Sequence, residues 1–60
     1  MEGETGMPIA FQMALAHNVQ SMNEFLKMSN EKQDEVIEKS KNIKTIREMN
    51  NFVDSIPKMH

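Results

Sequence analysis

Sixty residues with nine acidic and seven basic side chains, a formal charge of −2, make one small domain at most. Their surface is too balanced for general polyanion binding, which draws its affinity from net basic charge. The chain has no cysteine, which excludes a disulfide staple and a thiolate metal site, and it has no apolar run approaching the roughly 20 residues of a membrane span.

Residues 1–6, Met-Glu-Gly-Glu-Thr-Gly, hold both glycines and nothing to bury, so a flexible tail is expected. Glu2 and Glu4 precede the first apolar stretch where a secretory signal carries basic residues. A cytoplasmic location is therefore expected. Residues 7–17 fit two patterns. Ile9, Phe11, Met13 and Leu15 alternate as in a strand, whereas Met7, Phe11, Ala14 and Leu15 follow helical spacing. The alanines are strong helix formers, Pro8 suits a first helical turn, and no other segment offers a β partner. The spacing therefore predicts a helix over about 8–17. Its apolar residues lie on nearly every side, which makes the segment core or, in part, an interface. Met7, Ile9, Phe11 and the later Met28 form a candidate partner surface.

Asn18 reads as the N-cap of a second helix, about 19–28. Met22, Phe25 and Leu26 form its compact inner face, and Lys27 suits the negative end of the helix dipole. Ser29 opens a third helix, about 30–41, with acids in its first turns; Lys32 at N3 leaves the capping box incomplete. Val36 and Ile37 point inward, and Glu35 and Lys39 make an i, i+4 pair worth about 0.2–0.5 kcal/mol. Ile43 plugs the core from the connection. Thr45 and Glu48 form a Thr-x-x-Glu capping box at the start of a fourth helix, about 46–56. Ile46, Met49, Phe52, Val53 and Ile56 share one face of it. Pro57 stops the helix and leaves 57–60 as a tail.

The fold class that follows is all-α, a small orthogonal bundle of about four short helices within residues 7–56. Its expected core is Leu15, Met22, Phe25, Leu26, Val36, Ile37, Met49, Phe52, Val53 and Ile56. Met13, Met22 and Met49 are read as filler in core-facing stripes. Such a chain buries only about 60% of its unfolded surface, so it relies on packing, caps or self-association.

Few side chains point to chemistry. His17 is the only internal histidine, and it reads as a helix C-terminal residue favourable to the dipole. No nucleophile or orienting carboxylate is placed beside it by any motif. Glu31, Asp34, Glu35 and Glu38 lack the spacing of a calcium loop and read as a solvated face. Lys41, Lys44, Arg47, Asn50 and Asn51 gather at the start of the last helix, where a helix-turn-helix reads the major groove. Glu48, Asp54 and the net charge oppose that use.

Met13–Asn18 (Met-Ala-Leu-Ala-His-Asn), Phe25-Leu26 with Met28-Ser29, Val36-Ile37, and Thr45–Met49 before Phe52-Val53 together form a known pattern. Over residues 13–56 the chain resembles the helical C-terminal region of YdeI/OmdA-type bacterial proteins, which are connected with bacteriocin protection. It is also similar to short stand-alone relatives of unknown function in Firmicutes. The family's second half is richer in arginine; here that stretch has Lys39, Lys41, Lys44 and Arg47. The resemblance implies an all-α module in a bacterial cytoplasm and brings no catalytic residues. The expected function is a non-enzymatic interaction module with a protein partner or a second copy, and no cofactor, metal or small-molecule ligand. The alternative is a helix-turn-helix-like DNA-binding regulator using Lys44, Arg47, Asn50 and Asn51.

Overall fold

The computed structural model describes residues 7–59, and the tail expected at 1–6 lies outside the described residues. Four helices follow in order: α1 (Ile9–Ala16), α2 (Val19–Lys27), α3 (Asn30–Ser40) and α4 (Ile46–Asp54), with a terminal 3₁₀ turn, Ile56–Lys58. The fold is a small all-α bundle, 30 × 25 × 17 Å across its Cα atoms. Its thinnest dimension admits two helix layers, since packed helix axes lie about 8–10 Å apart.

Each start has a local cause. Pro8 is extended (φ −60°, ψ 144°) and precedes α1, so its missing N–H is lost where no helical bond would form. This decides between the two readings of residues 7–17 in favour of helix. The side chains of Asn18, Ser29 and Thr45 cap α2, α3 and α4 by accepting from the N–H groups of Ser21, Lys32 and Glu48. Only the Thr45 half of the expected capping box forms. Thr45→Ala should cost about 1 kcal/mol of stability. Chemical denaturation followed by circular dichroism measures this, and a change within a few tenths would contradict the cap's role.

The core unites Phe11, Ala14, Leu15, Phe25, Val36, Met49, Val53 and Ile56, with Met22, Ile37, Ile43 and Phe52 packed partly buried against them. Phe11 is its centre. It meets Phe25 edge-on at 5.6 Å between ring centroids and Phe52 at 6.1 Å. Helix α1 packs on α4 and α2, and the 3₁₀ turn packs on α2. On α3, Glu35 pairs with Lys39 at 3.5 Å as expected, and also with Lys32 at 3.5 Å.

Several expectations are corrected. Phe11, read as partner surface, is fully buried. Leu26, Met13 and Ile46, read as inward-facing, are 64%, 57% and 75% exposed. On α2 the buried stripe is Ser21 and Phe25, one turn apart, which rotates Leu26 outward. On α4 it is Met49 and Val53, leaving Ile46 at the first helical position exposed beside the α1–α4 seam. Of the tail expected at 57–60, Pro57 and Lys58 lie in the 3₁₀ turn and Met59 packs partly buried against the core, while residue 60 lies outside the described residues.

Two buried hydroxyls explain how the short helices end. In a continuous helix the carbonyl of Val53 would accept from the N–H of residue 57, which is proline and has none. The Ser21 Oγ donates to that carbonyl instead, at 2.7 Å inside the core. Ser40, also buried, donates back to Ile37 O at 2.6 Å and closes α3. From α3, the Gln33 Nε2 donates to Phe25 O at 3.0 Å and Met28 O at 3.3 Å, satisfying carbonyls at the end of α2.

Candidate functional site

The surface is concave along the seam between α1 and α4. One hollow of about 230 Å³ is lined by Ala10, Met13, Ala14 and His17 from α1 and by Ile46, Met49 and Asn50 from α4. These positions follow i, i+3, i+4, i+7 on α1 and i, i+3, i+4 on α4, so the walls are two facing helical ridges. Its floor is Ala14 and Met49, 7% and 3% exposed, and Met13 and Ile46 project at its rims. Ile9, one turn before Met13, is 73% exposed and lies outside the hollow's lining.

The seam continues into a second, polar hollow of about 360 Å³ lined by Ala14, His17, Asn18, Asn50, Val53 and Asp54. Ala14, His17 and Asn50 belong to both hollows. Here the Asn18 Nδ2 donates to the Asp54 Oδ1 at 2.7 Å, while the Asn18 Oδ1 accepts from Ser21 N–H. One side chain thus caps α2 and ties its start to the end of α4. Asp54 faces the negative end of its own helix dipole, and the Asn18 amide offsets that disadvantage. His17 shares the hollow with Asp54, but among the described residues its ring makes no hydrogen bond, so no histidine–carboxylate pair is assembled.

The apolar hollow itself is uncharged, with Asp54 in the adjoining polar hollow. Residues 7–23 contain no Asp, Glu, Lys or Arg, and the apolar hollow's lining contains none either. The charged side chains nearest in sequence to its α4 wall are Arg47 and Glu48, both exposed.

Of the expected partner surface, Ile9 alone is open; Met7 and Met28 are partly buried against the core, and Phe11 is inside it. Met13 and Ile46, assigned inward from the sequence, line the apolar hollow instead. Lys44, Arg47, Asn50 and Asn51 are all exposed; Arg47, Asn50 and Asn51 share one face of α4 at i, i+3 and i+4, and of these Asn50 also lines both hollows. Glu31, Asp34, Glu35 and Glu38 are exposed along α3, where Glu35 and Glu38 are paired with lysines. Among the described residues no group of three or more His, Asp or Glu side chains could hold a metal ion. No described helix is long and apolar enough to cross a membrane.

No protein-family model, curated protein or solved structure matches the chain.

Proposed function

We propose that this protein is a non-enzymatic interaction module of the bacterial cytoplasm that docks the apolar face of a helix in the α1–α4 seam. The observation that carries the reading is the pairing of an apolar hollow with exposed large side chains at its rims. Met13 and Ile46 stand 57% and 75% exposed around a floor of buried Ala14 and Met49. Two helical ridges set side by side leave a slot suited to a third helix, the helix-in-groove mode of recognition. Exposed apolar surface of this kind has a physical cost in water that a partner removes.

A photo-crosslinking residue tests the reading. Introduced at Met13 in cells, it should yield a discrete protein adduct; introduced at Lys39 on the outer side of α3, it should yield none. An equal pattern at both positions, or no adduct at Met13, would remove the groove as a docking site.

A further inference from the structure

Resting on that docking reading for its consequence, we infer that Met13 is a modification site, at which a peroxide turns the rim of the apolar hollow polar while the domain stays folded. Seven methionines and no cysteine make the thioether the oxidisable sulfur of this chain. Burial ranks the described ones. Met13 is 57% exposed; Met7, Met22, Met28 and Met59 are half-buried against the core; Met49 is 3% exposed. The sulfur must meet the oxidant in water, so the most open thioether reacts first and a buried one waits for the domain to open. In the reaction the Met13 sulfur attacks one oxygen of hydrogen peroxide and the O–O bond breaks. That oxygen stays on sulfur as the sulfoxide, and the other leaves as water with both protons. Sulfur loses the two electrons that peroxide gains, and enzymes of the sulfoxide reductase class reverse the change.

Position gives the step its effect. Met13 lines the apolar hollow from α1, and Ile46 and Met49 line it from α4. A sulfoxide at Met13 sets a polar S=O group at the edge of that hollow. While the seam is open, water satisfies the oxygen, and the free domain tolerates it. An apolar helix face laid over the seam removes that water and offers no donor in return, which costs free energy. Oxidation at Met13 therefore acts against the docked state and not against the fold. The same change at Met49 puts the oxygen inside the core and disrupts packing. The two methionines of one hollow thus separate two responses. Brief exposure to peroxide alters the surface at Met13, and only prolonged exposure reaches Met49 and unfolds the domain.

Peptide mapping by mass spectrometry during a hydrogen peroxide time course on the purified 60-residue chain tests the site. Met13 should oxidise ahead of Met7, Met22, Met28 and Met59, and roughly tenfold or more faster than Met49, which must wait for an opening. When Met13 is sulfoxide and Met49 is not, circular dichroism should be unchanged. NMR resonances should then shift at Ile46, Met49 and Asn50 across the seam and hold their places in α2 and α3. The consequence is read in cells with a photo-crosslinking residue at Ile46. Its protein adduct should fall severalfold on peroxide treatment. In the Met13→Leu background, which has no sulfur there to oxidise, the yield should be the same with peroxide as without. Met13 oxidising no faster than the half-buried methionines, or unfolding at the Met13 stage, overturns the site. A peroxide loss that Met13→Leu fails to prevent overturns its effect on docking. If Ile46 gives no adduct in any background, the docking reading fails, and the mapping and spectra still decide the modification site.

Discussion

Phe11→Ala should leave this domain largely unfolded at room temperature. Phe11 is fully buried, and its ring touches both other phenylalanines, at 5.6 Å and 6.1 Å between centroids. Truncating a buried phenylalanine to alanine costs about 3–5 kcal/mol through lost transfer energy and the cavity left behind. Domains hold only about 0.05–0.15 kcal/mol per residue, so a chain of this length has roughly 3–9 kcal/mol to lose. A domain this short buries proportionally little surface and sits toward the low end of that range, where the substitution removes most or all of the stability. Phe11→Leu keeps much of the volume and forfeits chiefly the edge-on ring contacts, worth about 0.5–1.5 kcal/mol per pair. Thermal and urea melts of both variants check the ranking. A Phe11→Ala variant that melts like the parent would show that Phe11 is not the centre of the core.

The second large effect is at Ser21, which is 1% exposed and whose hydroxyl donates to Val53 O at 2.7 Å. Ser21→Ala strands that carbonyl in the interior, a loss of about 1–3 kcal/mol. The cause lies with Pro57, which provides no N–H for Val53. Replacing Pro57 by alanine restores a donor one turn along. In the background of Pro57→Ala, the cost of Ser21→Ala should therefore shrink by at least about 0.5 kcal/mol, the lower end of coupling between groups that share a partner. A double-mutant cycle by urea denaturation measures the coupling. Strict additivity would mean that Ser21 matters for something other than the carbonyl that Pro57 leaves open.

The four helices were legible because their starts are written in single residues. Asn18, Ser29 and Thr45 each cap where the pattern of polar and apolar residues places a beginning, and the structure departs from the expected spans by one or two residues at most ends. The inner faces were legible only where they were distinct. On α4, Met49 and Val53 are inside as their spacing requires. On α1, apolar side chains on every side left periodicity with nothing to rank, so Phe11 went to the surface and Met13 to the core, the reverse of where they lie. Ser21 and Ser40 carried no signal at all: a serine is usually outside, and while Ser40 bonds one turn back within its own helix, the carbonyl that Ser21 meets is brought within reach only by the fold. The groove was hidden for the same reason as the inner face of α1. Its walls come from two helices distant in sequence, and its rims are side chains whose hydrophobicity reads equally well as core.

The helices of this bundle are 8, 9, 11 and 9 residues long. Helices shorter than about 12–15 residues are marginal in water on their own, because the first turn fixes three residues for a single hydrogen bond. None of the four can therefore outlast the packing that surrounds it. Helix α2 ends on a glutamine donated by α3, and α4 ends on a serine donated by α2, so the ends of these helices are completed only by their neighbours. Secondary and tertiary structure in this chain are in effect one transition. It has no helical intermediate to rest in, and whatever loosens one helix end loosens the whole domain.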